Sequence, residues 1–299
     1  MSLADELQVM AEGFRWGRRP LPPEAAGAVA PARGPVKTAW ARTAPARAAR
    51  ELVQRGLLKP VVWGQTRPRV EGLDRLARLG GPVVFVANHS SHLDAPLLLG
   101  ALPPAIRRRT VTGAAADYFF ASWWRSLATG LVFNAVAVER GGRSGTAGEL
   151  RYLVAAGWNL LLFPEGTRSR DGAMKRFHQG AAQICIDARA PAVPVCLRGT
   201  FAAMPPGAAW PRKGRLPVAV RFGEPLVPGA DETRRAFTGR LEREVAFLWD
   251  EDATTWWQSL HRRTHRGEVP GEDSAPAWRR RWEGLEPLSA ARRQSAWPR

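Results

Sequence analysis

The stretch from Pro82 to Pro96 constrains this chain most. An apolar run there stops on polar residues and then resumes as an apolar helix. No polar residue interrupts Val83 to Ala87, which is how a strand buried on both faces of a parallel sheet reads. Asn88-His89-Ser90-Ser91-His92-Leu93-Asp94 follows, then the apolar Leu97 to Leu99. Ser91 stands at a capping-box spacing from Asp94, and Pro96 suits a first helical turn. The pattern therefore predicts His89 in the loop leaving a strand and Asp94 at the start of the next helix. Crevices at the carboxyl ends of parallel strands are where open α/β sheets bind ligands.

That placement carries chemistry. On one continuous helix His89 and Asp94 would lie roughly 140° apart, but across a loop-to-helix junction they can meet. A carboxylate then holds one ring nitrogen and leaves the other as a base. The chain has no Gly-x-Ser-x-Gly elbow, so the nucleophile of such a dyad is a hydroxyl on the substrate. A plainer reading fits the same residues: Asp94 caps the helix and His89 is a satisfied loop residue. The stretch alone does not choose between them. His89 and His92 are too isolated from other His or Cys residues to read as a metal pair, so no metal is expected.

Alternation of strands and helices continues downstream. Strands are expected at Thr110 to Thr112, Val132 to Val138, Asn159 to Phe163, Ala192 to Leu197 and Val218 to Phe222. Helices are expected after Thr146, over about Gln179 to Ala188, and over Glu232 to Trp249. Pro194 inside a strand suggests an edge or a bulge. The fold class is thus α/β, a central and mostly parallel sheet flanked by helices. Upstream, Val61 to Val70 reads as an edge strand and Leu73 to Leu79 as a short helix. Three parts are expected: an irregular or amphipathic N-terminal extension over 1–68, a catalytic domain over 69–249, and a basic, Trp-studded C-terminal tail over 250–299.

Two further loops leave strands carrying arginine. One holds Arg140 after Val138; the other is Pro164-Glu165-Gly166-Thr167-Arg168-Ser169 after Phe163. A guanidinium fork matches phosphate oxygens, Gly166 permits close backbone approach and Thr167 supplies a hydroxyl. Glu165 is a poor choice for a phosphate loop unless it holds the arginines in place.

Three loops now need one explanation, and four motifs supply it. Asn88 to Asp94 resembles the His-x4-Asp motif of the glycerolipid acyltransferases, the 1-acyl-sn-glycerol-3-phosphate acyltransferase family. Phe163 to Ser169 is similar to that family's acceptor-phosphate motif, Val136 to Arg140 to its shorter intervening motif, and Val193-Pro194-Val195 to its last. Order and spacing agree over about Val70 to Val227. The resemblance implies acyl transfer from acyl-CoA or acyl-carrier protein, as co-substrate rather than cofactor, to the free hydroxyl of a lysophospholipid such as 1-acyl-sn-glycerol-3-phosphate. It implies that His89 is the base and Asp94 its orienting group. It also implies that Arg140, Glu165, Gly166, Thr167 and Arg168 form the acceptor-phosphate site. Many members carry a lysine in the segment corresponding to 112–117; this chain has none there, which leaves the acceptor headgroup open.

Composition bears on partners. The 299 residues carry a formal net charge of +17, almost all of it from arginine. Such a charge attracts anionic lipid, phosphorylated substrates or nucleic acid without choosing among them. No nucleic-acid motif stands out, so no specific nucleic acid is expected. The aromatic stretch Asp117 to Arg125 suits a membrane interface as well as a core. No apolar run approaches the roughly 20 residues that span a bilayer. A peripheral enzyme on the cytoplasmic side of a membrane is therefore expected. Two alternatives remain: an acyltransferase for another glycerol or non-glycerol alcohol, and a basic lipid- or nucleic-acid-binding protein without catalysis.

Overall fold

The computed structural model describes residues 38–77, 79–115, 123–138 and 144–253. Among them seven strands form one sheet: β1 (Thr66–Glu71), β2 (Val84–Ala87), β3 (Thr110–Ala115), β4 (Ala135–Val138), β5 (Asn159–Leu162), β6 (Ala192–Arg198) and β7 (Leu216–Phe222). Their order is β1-β7-β6-β2-β5-β3-β4. Every pairing of these strands is parallel except β6 with β7. This is the mostly parallel, helix-flanked sheet that the alternating pattern predicts.

Burial explains why β2 sits at its centre. Val84, Phe85, Val86 and Ala87 are all fully buried. Because side chains alternate across a strand, Phe85 and Ala87 join one apolar layer while Val84 and Val86 join the other. The first layer is closed by helix α3 (Asp94–Ala101) and by Val62 of helix α2 (Lys59–Gln65). The second is closed by α5 (Ser144–Ala155), α6 (Gly180–Ala188) and α7 (Arg234–Ala253), through Leu150, Ile184, Phe237 and Leu241. Neither face of the central strands meets water, so these strands tolerate no polar alternation.

Four expectations change. The N-terminal segment is not irregular throughout: α1 (Ala44–Val53) runs through a π-helical stretch, Gln54–Leu58, into α2, so the edge strand expected from Val61 begins only at Thr66. Arg50 ties α1 down. Its buried guanidinium donates to the carbonyls of Leu131 (2.7 Å), Gly130 (3.2 Å) and Ala41 (2.5 Å). Two of these carbonyls lie near the end of helix α4 (Trp123–Phe133), where the helix dipole favours a cation. Second, the expected strand at Val132 begins only at Ala135, because Val132 and Phe133 complete α4. Asn134 then ends the helix at φ 51° and donates to the Thr110 carbonyl at 3.0 Å.

Third, of the two readings of Pro194, the edge falls and the bulge stands, since β6 is an interior strand. The antiparallel β6–β7 ladder starts at Val195 with Phe222, and its register slips by one residue relative to the bridge between Ala192 and Leu226. Proline's missing N–H falls at that slip. Fourth, α7 continues past Trp249 to Ala253. Arg69 and Arg198 pair with Asp252, and Arg221 with Glu251, so arginines on the sheet hold its polar last turn. Arg140, the aromatic side chains of 117–125 and most of both terminal extensions lie outside the described residues.

The strand order positions the site. Because β2 is parallel to its neighbours β5 and β6, the loops leaving all three emerge at one edge. After β6 the chain turns through Gly199, at φ +80°, where a Cβ would lie 2.3 Å from the Pro217 carbonyl oxygen. We expect Gly199→Ala to lower the unfolding free energy by about 2 kcal/mol or more. Urea denaturation measures this, and an unchanged midpoint would contradict it.

Candidate active site

The loop after β2 is shaped by its own backbone donors. The N–H groups of Ser90 (2.7 Å) and Ser91 (2.8 Å) both point at Oδ2 of Asp94. That same oxygen lies 2.8 Å from Nδ1 of His89. Asp94 is fully buried, and three donors on one oxygen suit an ionised carboxylate. Nδ1 must then carry the proton it shares, which leaves Nε2 as the acceptor nitrogen. One oxygen of Asp94 thus gathers the loop backbone and the imidazole together, while the helix it opens has no side-chain cap bond at its N-terminus. Ser91 completes the turn, its Oγ accepting from Leu93 N at 3.1 Å and donating to the Met204 carbonyl at 2.7 Å.

The loop after β5 brackets the same histidine. Glu165 Oε1 accepts from the His89 N–H at 2.8 Å, and the Ser169 N–H donates to the His89 carbonyl at 2.8 Å. The Phe163 ring stacks on the imidazole, with centroids 4.2 Å apart and planes 23° apart. Backbone and ring are thus both held, while the imidazole edge remains partly exposed.

Glu165 occupies a different place from the one expected of it. It is buried, and its second oxygen, Oε2, accepts from the Lys175 N–H at 3.2 Å. It braces two loops from inside, with both oxygens committed to backbone N–H groups. Burial pushes its pKa up to about 8. The neighbouring Asp94 charge adds to that shift; the backbone bonds from His89 and Lys175 and the Lys175 ammonium oppose it. Gly166 (φ +69°) and Thr167 are exposed on the turn, and Arg168 is half-buried beside them. A Cβ on Gly166 would meet the His178 ring at 3.2 Å.

Other residues of the site carry no clear sequence signal. Asn88 behaves as a piece of strand. Its Nδ2 donates to the Leu197 carbonyl at 2.8 Å and its Oδ1 accepts from the Leu197 N–H at 2.7 Å, which stitches the His89 loop to β6. Ser90 Oγ meets Thr200 Oγ1 at 3.0 Å. Burial, helped by the charges of Arg168 and His89, lowers the His92 pKa to about 4, so its ring is neutral at pH 7. Lys175 reaches across the phosphate-type turn, with Nζ 3.1 Å from Thr167 Oγ1 and 2.9 Å from the Arg168 carbonyl oxygen. Among the described residues, no group of three or more His, Cys, Asp or Glu is placed to hold a metal.

A family model described as Acyltransferase matches residues 67–198, from β1 through the end of β6. Over these residues the chain is of the acyltransferase type and is similar to the glycerolipid acyltransferases. A 1-acyl-sn-glycerol-3-phosphate acyltransferase of Chlamydomonas reinhardtii is 32% identical over 179 residues, covering 58% of this chain and 53% of that protein. A chloroplastic 1-acyl-sn-glycerol-3-phosphate acyltransferase of Brassica napus is 33% identical over 141 residues, covering 46% of this chain and 39% of that protein. The chain thus spans about half the length of these relatives or less. The crystal structure of the LPA acyltransferase PlsC from Thermotoga maritima superposes with a TM-score of 0.54 at 22% identity, over 72% of this chain and 87% of that one. At that identity the likeness speaks for the fold.

Within this acyltransferase domain, the raised pKa of Glu165 has a definite consequence for stability. The folded chain holds the Glu165 proton more tightly than the unfolded chain does. Stability from this group is therefore present at low pH and is lost as pH rises from the ordinary carboxylate range toward about 8. We expect the stability advantage of the unaltered chain over Glu165→Gln to be larger at about pH 5 than at about pH 8.5 in urea unfolding. A pH-independent difference would contradict this.

Proposed function

We propose that the domain transfers a fatty acyl group from the thioester of acyl-CoA or acyl-carrier protein to the free hydroxyl of a lysophospholipid, with 1-acyl-sn-glycerol-3-phosphate as the favoured acceptor. The observation that carries this reading is the 2.8 Å contact between His89 Nδ1 and Asp94 Oδ2, which leaves Nε2 as the basic nitrogen. No Gly-x-Ser-x-Gly nucleophile elbow is present in the chain, so the acceptor hydroxyl itself attacks. Nε2 takes the hydroxyl proton as the oxygen adds to the thioester carbonyl. The buried Asp94 carboxylate steadies the imidazolium that forms. Collapse of the tetrahedral intermediate breaks the carbon–sulfur bond, and His89 returns its proton to the departing thiolate. The products are an ester and a free thiol.

The acceptor phosphate is assigned to the exposed Gly166–Thr167 turn and the Arg168 guanidinium, with Arg140 as a further contact from the loop after β4. The turn is one hydrogen bond from the His89 backbone at both of its ends, through Glu165 and Ser169. A phosphate seated there would bring a nearby glycerol hydroxyl to Nε2, and such positioning is a large part of any two-substrate reaction. The net charge of +17 favours an anionic membrane surface, on the cytoplasmic side, as the place where a lysophospholipid is met. Among the described residues no helix is long and apolar enough to cross a membrane. Exposed Leu52 and Leu57 flank Arg55 on the N-terminal helical segment, a composition that suits contact with such a surface.

The test is labelled acyl-CoA incubated with the full chain and a set of lysolipids. Labelled diacyl product is expected, with turnover falling by about 10³-fold in His89→Ala and in Asp94→Asn. Circular dichroism should show both variants folded. Unimpaired turnover in either would remove the mechanism.

A further inference from the structure

We propose that Lys175 is a headgroup-selecting residue, which favours acceptors bearing a phosphate monoester over zwitterionic or uncharged ones. This rests on the acyl-transfer reading above and names a residue that the motifs do not include.

Oε1 of Glu165 holds the His89 backbone N–H and Oε2 holds the Lys175 N–H, so the root of the lysine lies one carboxylate from the root of the base. From there the side chain crosses the phosphate-type turn. Nζ donates to Thr167 Oγ1 at 3.1 Å and to the Arg168 carbonyl at 2.9 Å. An ammonium group has three donors, and these contacts use two. No carboxylate lies within salt-bridge range of Nζ among the described residues, whereas Arg75, Arg107 and Arg240 all have acidic partners. The charge at Lys175 is thus held in place without being neutralised by an ion pair.

The contacts also orient the turn. Because Nζ donates to Thr167 Oγ1, the threonine hydroxyl is turned to offer its own proton outward. The bond to the Arg168 carbonyl holds the backbone that carries the guanidinium. An incoming phosphate monoester, with roughly 1.5 to 2 negative charges at neutral pH, would meet a hydroxyl donor, a guanidinium fork and a compact ammonium together. A phosphocholine headgroup presents one negative charge and a bulky cation to the same cluster. A monoacylglycerol presents nothing for the ammonium to bind, so its binding gains nothing from Lys175.

The experiment uses the full chain and three acceptors with one acyl chain: 1-acylglycerol phosphate, 1-acylglycerophosphocholine and monoacylglycerol. Kinetics are compared for the unaltered chain, Lys175→Met and Lys175→Arg, with thermal melts confirming equal folding. For the phosphate monoester, Lys175→Met is expected to raise KM roughly 10- to 100-fold while kcat changes little. KM for either other acceptor that turns over should be unaffected, and Lys175→Arg should recover most of the loss. Equal losses on every acceptor, or a fall in kcat alone, would show that Lys175 only props the turn and would overturn the proposal. An unchanged KM for the phosphate monoester would overturn it as well. Absence of transfer by the unaltered chain to any lysolipid would instead refute the acyl-transfer reading itself.

Discussion

Two buried carboxylates, each committed to backbone N–H groups of the loop after β2, determine what the rest of this molecule can do. Asp94 gathers Ser90, Ser91 and the His89 ring on one oxygen. Glu165 holds the His89 backbone from the neighbouring loop. Both are removed from water, where an unpaired polar group is costly, so the loop can hardly relax away from either without leaving buried oxygens without donors. The result is an imidazole fixed in orientation and tautomer before any substrate arrives. Preorganisation of this kind is the main contribution a scaffold makes to acid–base chemistry.

The sheet makes the two carboxylates neighbours. Placing β2 between β5 and β6 in parallel register brings three strand ends to one edge. Residues far apart in the chain, such as Asn88 with Leu197 and His89 with Glu165, then become hydrogen-bonded pairs. The apolar layers on both faces hold this arrangement. Away from the site, Arg69, Arg198 and Arg221 fasten the end of α7 to the sheet, and Arg50 fastens the N-terminal helix to the end of α4. Part of the large arginine content is therefore structural.

The central strands are legible in the sequence because burial on both faces leaves no polar position in them: Val83 to Ala87 and Leu160 to Leu162 read as continuous apolar runs. The dyad is legible because a strand-to-helix junction is marked locally, by Ser91, Asp94 and Pro96. Less legible are features decided by distant partners. Pro194 reads equally as an edge or a bulge until the register slip with β7 is known. The helical segment from Ala44 is not legible because what orders it lies far along the chain: buried Arg50 and Gln54 meet carbonyls some eighty residues away, and Glu51 pairs with Arg107. Glu165 enters the phosphate site only through the resemblance, since nothing nearby in sequence reveals that its partners are the N–H groups of His89 and Lys175. Lys175 itself gives no signal, because its role comes from folding back over its own loop.

The account stands on one tautomer: His89 protonated at Nδ1 toward Asp94, with Nε2 unprotonated and able to accept a proton. Nitrogen-15 NMR of the histidine-labelled full chain, with His89 assigned by comparison with His89→Ala, observes this directly. At a pH where the ring is neutral, the account predicts a protonated Nδ1 and a bare Nε2, with Asp94→Asn disturbing that pattern. A neutral ring protonated at Nε2, or a pattern indifferent to Asp94→Asn, would contradict it.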